Sequence, residues 1–316
     1  MKKSIRNFLM VCLMLVCSLL FLPASRSEAA QLKQSALSET SITVSWEAQN
    51  NASNYRVYTG NDYSSQKLYT TLSADKTSVT VNGLKPGSVQ YIKVEYDYRP
   101  SYNPTKIYTY LLGSGSFKTL PGKVTGVAQE RWWYFAEVFD VTWDKIESAD
   151  GYQYVVKTNS GKKKASGEQK YSNSLSVRKI SNSVIYTVQV RAYTEISGKK
   201  YYGAWSDKAY CFTQPRITKA SVSKNKLTVK WGKVAGATGY DVYVSTKKQS
   251  GYKKVASVSS KKTSVTISKL SGKKFSSKKT YYVYIATKKK AGKNTYTSGK
   301  LYFWNTKNNK SFGYFN

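Results

Sequence analysis

Three stretches of alternating apolar and polar residues end on a tryptophan: SITVSW at Trp46, VFDVTW at Trp143 and NKLTVKW at Trp231. Alternation of period two marks a strand with one buried face. Nine residues after each Trp a tyrosine (Tyr55, Tyr152, Tyr240) opens a second alternating run, YRVY, YQYVV or YDVYV, and an alanine (Ala52, Ala149, Ala237) stands between them. The unit W-x5-A-x2-Y therefore reads as strand, short loop, strand, and it occurs three times. No segment sustains a 3.6-residue apolar period, so the chain is expected to be all-β. The Trp positions, 97 and 88 residues apart, predict three modules of about 90 to 100 residues, each long enough to bury a core.

Punctuation by Pro and Gly sets the boundaries. Module one is expected over residues 31–120, with strands at Ile42 to Trp46, Tyr55 to Tyr58, Ser78 to Val81, Tyr91 to Tyr96 and Ile107 to Leu111. Module two runs over 121–215 from the Pro121-Gly122 break, module three over 216–306 from the Pro215 break, and a short tail over 307–316 closes the chain. Both breaks suit short, stiff linkers. Residues 1–30 stand apart: a basic start (Lys2, Lys3, Arg6), an uncharged apolar run from Phe8 to Leu22, and small residues near Ala29 and Ala30 read as a secretory signal peptide. Export is the implied address, with no transmembrane segment after cleavage. A nearly Cys-free, Lys-rich and Tyr-rich exported chain also suggests a Gram-positive bacterial source. No late hydrophobic segment or sorting motif follows module three, so retention at a cell surface would be non-covalent.

The buried Trp that closes the second strand, the Tyr that opens the third, and the segments LKPGSVQYIKV, ISNSVIYTVQV and KTYYVYIA resemble the fibronectin type III module across all three repeats. The resemblance implies three tandem seven-stranded antiparallel sandwiches. It also implies a tyrosine corner near the start of each sixth strand, hydrogen-bonded back to the preceding loop. Tyr186 and Tyr281 fit that slot. In module one the same count reaches Gln90, leaving two possibilities: Gln90 replaces the corner, or a bulge brings Tyr91 into it.

Catalytic chemistry finds little support. With no His in the chain, Ser-His-Asp and Cys-His arrangements and His-based metal sites are excluded, and no cofactor or metal is implied. The tightest acidic cluster is Glu95 with Asp97, on one face of a strand, and it is expected to be a solvated pair rather than a catalytic dyad. Cys211 is the sole thiol outside the signal segment and reads as a strand residue. The chain reads as a non-enzyme.

Charge changes the picture once it is divided by module. Residues 31–120 hold 9 basic and 6 acidic residues, and residues 121–215 hold 14 and 9. Residues 216–316 hold 24 and 1, with Asp241 the only acid. Such a module favours a polyanion, and Lys in place of Arg suits diffuse attraction rather than bidentate recognition. Candidate partners are an anionic polymer or carbohydrate of the cell envelope or host surface, such as wall teichoic acids, sulfated glycans or anionic lipid headgroups. Nucleic acid would be bound without sequence specificity, and another extracellular protein is the remaining class. The rival reading is a structural spacer or protein–protein scaffold with no polyanion ligand.

Alternation then names candidate contact residues. Tyr243, Tyr282 and Tyr284 point away from the core, and in the fibronectin type III fold their strands are neighbours, giving an exposed row flanked by Lys288, Lys289 and Lys290. Such a row stacks on sugars or bases, or forms cross-strand pairs on a solvent-facing sheet. About six extra residues lie between the first two strands of module two, around Trp132, Trp133, Tyr134 and Phe135. Four consecutive aromatics cannot all face inward, so they pack on module three or contact carbohydrate or protein. A Tyr-rich hairpin from Tyr96 to Tyr110 in module one is either a recognition loop or a decorated strand pair.

Overall fold

The computed structural model describes residues 32–133, 137–307 and 312–314, the side chains of residues 131–133, 312 and 314 excepted. The expected signal peptide lies outside the described residues, as do Tyr134, Phe135 and most of the tail. The chain divides between Thr119 and Leu120 into two compact units, and it is all-β.

The first unit contains β1 (Lys33–Leu37), β2 (Ser41–Ser45), β3 (Ala52–Gly60), β4 (Lys67–Ser73), β5 (Ser78–Asn82), β6 (Val89–Tyr98) and β7 (Tyr108–Lys118). They form a three-stranded sheet, β1-β2-β5, and a four-stranded sheet, β4-β3-β6-β7. The alternating residues Ile42, Val44, Tyr55, Val57, Ile92 and Val94 meet between the sheets and are all fully buried.

The second unit repeats this order twice. Its first sandwich contains β8 (Ala128–Trp133), β9 (Val138–Thr142), β10 (Gly151–Thr158), β11 (Lys163–Gln169), β12 (Ser174–Val177), β13 (Tyr186–Ile196), β14 (Lys199–Tyr202) and β15 (Ala209–Cys211). Sheet β12-β9-β8 faces β11-β10-β13-β14, and β15 also pairs with β13. The next sandwich begins with β16 (Ile217–Ser223), β17 (Lys226–Trp231), β18 (Gly239–Ser245), β19 (Lys253–Ser259) and β20 (Ser264–Ile267). A small hairpin of β21 (Lys269–Leu270) and β22 (Lys273–Lys274) leads to β23 (Tyr282–Ala291), β24 (Asn294–Thr297), β25 (Tyr302–Asn305) and β26 (Phe312–Tyr314). Its sheets are β16-β17-β20 and β19-β18-β23-β25-β26, with β24 also on β23.

The W-x5-A-x2-Y spacing has a local cause that is the same in every copy. The residue three after each Trp offers its N–H to the Tyr hydroxyl: Gln49 to Tyr55, Ile146 to Tyr152 and Val234 to Tyr240, each at 2.8 Å. The carbonyl of that residue accepts the alanine N–H, from Ala52, Ala149 and Ala237, each at 3.2 Å. One peptide unit thus ties the loop to the Tyr and closes the turn, satisfying polar groups that the core would otherwise strand. The Tyr ring then meets the Trp edge-on, with centroids 5.4, 5.3 and 5.6 Å apart in the three copies.

The tyrosine corners are present where the count places them. The hydroxyl of Tyr186 accepts the Ser181 N–H at 2.8 Å, and that of Tyr281 accepts the Ser276 N–H at 3.1 Å. In module one Gln90 takes the slot: it is buried and donates to the Gly60 carbonyl at 2.7 Å. Tyr91 faces the other way and packs edge-on against Tyr63. The loop is held instead by buried Thr119, whose hydroxyl donates to the Lys85 carbonyl and accepts the Ser88 N–H, both at 2.9 Å.

Within the second unit the two sandwiches share one contiguous buried cluster, from Val124 through Ile217 to Tyr302. Linker residues Thr213, Gln214 and Pro215 are buried. Gln214 accepts the Tyr302 N–H at 2.8 Å, and the Tyr302 hydroxyl accepts the Ile217 N–H and donates to the Pro215 carbonyl. The Thr287 hydroxyl donates to the Thr213 carbonyl at 3.1 Å. Beside the linker, Ala235 donates its N–H to Ser183 and accepts one from Ile185, at 2.7 and 3.0 Å.

Candidate functional site

The expected aromatic and lysine row falls on the outer face of the larger sheet of module three, on β18 and β23. Alternation places Tyr243, Tyr282 and Tyr284 away from the main core, but it does not leave them as an open row. Tyr284 is only 5% exposed, because Phe303 from β25 and Tyr252 from the segment before β19 cover it. Tyr243 stacks flat on Tyr284, centroids 4.5 Å and planes 5° apart, as a direct cross-strand pair. Tyr282 packs edge-on against Phe303. The expectation of an exposed row is therefore corrected: these rings form a small satellite core in which Tyr284 has no open face. Burial pushes the hydroxyls of Tyr284 and Tyr252 far up from the ordinary Tyr range, so both stay protonated.

The three lysines are not equivalent. Lys288 is half-buried and forms an ion pair with Asp241 at 2.7 Å, while its ammonium also donates to Ser257 at 2.6 Å. It is neutralised by the only acid of its module. Lys289 is half-buried on the strand pair with β24, and of the three only Lys290 is exposed. Lys288 and Lys290 border a cleft of about 380 Å³ that Thr238, Gly239, Ser257, Ser259 and Thr295 complete. Its donors suit one anionic or hydroxylated group, with a single uncommitted ammonium.

Asp241 is the keystone of this face. Burial opposes its ionisation, but hydrogen bonds from Lys288 and Ser257 and the charges of Lys288 and Lys254 outweigh that effect, so its carboxyl titrates below the ordinary range. A depressed folded value stabilises the protein above the unfolded pKa of about 4 and ceases to do so as pH falls through the folded value. Replacing Asp241 with alanine is expected to cost about 2 kcal/mol at pH 7, by leaving Lys288 unpaired. The stability gap between wild type and variant in urea titrations should shrink on going from pH 7 to pH 3, and a gap independent of pH would refute this role.

In module two the backbone of Trp132 and Trp133 continues β8, opposite Phe139 and Val138. Their side chains, and the whole of Tyr134 and Phe135, lie outside the described residues. Arg191, which the sequence did not single out, is held between the rings of Tyr202 and Trp205, 4.1 and 4.6 Å from their centroids. The signal for it would have been a lone Arg on the outward positions of a strand whose neighbours are aromatic.

The Tyr-rich hairpin of module one is a regular strand pair as far as Tyr98 opposite Tyr108, with Tyr110 packing on Tyr96 and Tyr98. Tyr102 at its tip is 80% exposed, and Ile107 and Leu111 of the same hairpin are also exposed. Glu95 and Asp97 do not act as a couple. Glu95 pairs with Lys93 at 2.9 Å, and Asp97 with Arg56 at 2.7 Å. Burial of Glu95 works against ionisation, yet hydrogen bonds from Lys93 and Tyr58 hold its carboxyl below the ordinary range. Cys211 is fully buried and burial pushes its thiol up, so it is a protonated core residue.

This arrangement defines a tandem β-sandwich protein with three copies of one strand order. Residues 27–99 match the family model of the fibronectin type III domain. Domains of this family commonly serve as non-catalytic binding or spacer units and mediate protein–protein contacts. The chain is also similar to the crystallised FN1–FN3 domains of chicken CNTN1, at 14% identity and a TM-score of 0.31, over 85% of this chain and 97% of that one. A two-domain fibronectin type III segment of chicken tenascin aligns at 15% identity and a TM-score of 0.33, over 58% of this chain and 98% of that one. No curated protein matches the chain. Among the described residues no helix is long and apolar enough to cross a membrane.

Proposed function

We propose that this is a secreted, non-catalytic binding protein: a signal peptide followed by modules spanning residues 31–120, 121–215 and 216–306, the last of which holds an anionic polymer of the cell envelope or host surface. The observation that carries the reading is the charge of module three, 22 basic residues against one acid over residues 216–306. That acid, Asp241, is already committed to Lys288 and Lys254. The remaining lysines have no carboxylate within their own module, so they repel one another and attract a polyanion.

Binding of the mature protein to purified wall polymer should fall linearly with salt on a log–log plot, as counterion release requires. For a polymer engaging about three lysines, the loss between 50 and 200 mM salt is roughly 40-fold. Equal affinity at the two salt concentrations would refute the reading. The buried linker Thr213 to Pro215 favours a second role alongside it, in which modules two and three act as a rigid spacer. The spacer alone predicts no polyanion binding by the intact protein beyond that of any protein of equal charge.

A further inference from the structure

A second face of module three with uncommitted charge lies away from the tyrosines and from Lys290. It is the outer face of the three-stranded sheet β16-β17-β20. There Lys219 stands directly opposite Lys230, and Lys230 in turn stands opposite Ser264. Lys226, Thr228 and Lys230 alternate outward along β17. The Thr228 and Thr266 hydroxyls meet at 3.2 Å between the lysines. All three lysines are exposed, and the module's single carboxylate is engaged on the opposite sheet.

Like charges placed directly opposite on a strand pair destabilise it, and an anionic group set between them reverses the sign. The other modules provide an internal contrast at the same register. Module one keeps the hydroxyl pair, Thr43 with Thr80 at 2.9 Å, but sets Lys33 opposite Ser45. Module two sets Ala128 opposite Thr142 and places Asp140, bonded to Ser176, where Thr228 stands. The opposed lysines therefore belong to module three alone.

Successive outward residues on a strand lie about 6.7 Å apart, so Lys226 and Lys230 form stations about 13 Å apart along β17, joined by a rail of hydroxyls. That layout fits an extended chain with repeated anionic groups better than a compact anion. The outward residues of these strands are Lys, Ser and Thr, with no aromatic ring to stack on a sugar. Recognition through charge and hydroxyls, without rings, favours a phosphodiester-linked polyol over a sulfated glycan.

We propose that module three binds a linear phosphodiester polymer along this face, with the opposed Lys219 and Lys230 sharing one phosphate and Lys226 contacting another further along β17. The assignment rests on the polymer-binding reading given above and locates it. The test uses the full mature chain, poly(glycerol phosphate) and heparin as probes, and two charge-matched variants. One carries Lys219→Ser, Lys226→Ser and Lys230→Ser. The other carries Lys278→Ser, Lys279→Ser and Lys293→Ser, three exposed lysines elsewhere in the module.

The first variant should bind poly(glycerol phosphate) at least tenfold more weakly and lower the salt slope by about 3, whereas the second should lose less than threefold. Its melting temperature should equal or exceed that of wild type, because a repulsive pair has been removed. Equal losses in the two variants would overturn the location while leaving polyanion binding intact. Binding of heparin without poly(glycerol phosphate) would overturn the phosphodiester assignment. Binding of neither probe by wild type would overturn both this proposal and the function it rests on.

Discussion

Replacing Trp231 with alanine should lower the stability of the second unit by about 4 kcal/mol, the range for deleting a buried large aromatic. Trp231 is 4% exposed, packs edge-on against Tyr240, and belongs to the buried cluster that continues into module two. Its indole N–H has no hydrogen-bond partner, so the loss is one of packing rather than of a polar contact. Trp231→Phe should accordingly recover more than half of the deficit. For a unit of about 200 residues the alanine variant should melt roughly 8 to 16 °C lower. Because the cluster spans both sandwiches, calorimetry should show one transition for residues 120–316 that moves as a whole. A module-two transition left in place while module three melts early would show that the shared core does not couple them.

Gly236→Val should be nearly as damaging, and by a different route. Gly236 has φ of +89°, in the left-handed region that a β-branched residue resists. A Cβ there would lie 2.8 Å from the Cβ of Asn159 in the adjoining sandwich. Strain of about 1 to 3 kcal/mol adds to overpacking of similar size, so a loss of about 3 to 4 kcal/mol is expected. The damage falls at the junction, next to the backbone bonds of Ala235 to Ser183 and Ile185. Its distinguishing readout is therefore a split of the single calorimetric transition into two. A uniform shift of one transition would mean that the bonds between the linker and Tyr302 suffice to hold the pair together.

Much of the fold was legible because its determinants are local. The Ala and Tyr of each repeat are tied to the residue three after the Trp by hydrogen bonds spanning no more than six residues, and the Tyr ring packs on the Trp, so their spacing had to be kept for the loop to form. Strands β1 and β4 escaped notice for a related reason. Each lies at the edge of its sheet and has no fully buried side chain, so neither shows a clean inward face. Gln90 in the tyrosine-corner slot was legible as a departure. Its substitute was not, because Thr119 reaches the loop from the far end of module one, 34 residues beyond Lys85.

The candidate site divides along the same line. Period two correctly sent Tyr243, Tyr282 and Tyr284 away from the main core, since the direction of a side chain on a strand is a property of the backbone. It was silent on what would cover them. Tyr284 is enclosed by Tyr252 and Phe303, which reach it only through the return of β19 and β25. Lys288 is likewise silenced by Asp241, its near neighbour across β18 and β23 and 47 residues away in sequence.

The sequence by itself determined the three Trp-Tyr strand pairs, their spacing, and the concentration of positive charge after Pro215, because alternation and composition are carried residue by residue. Only the tertiary structure decided which lysines remain uncommitted and which rings have an open face. Exposure and ion pairing depend on neighbours brought together by sheet pairing, and it is that pairing which moves attention from the tyrosine face to Lys219, Lys226 and Lys230.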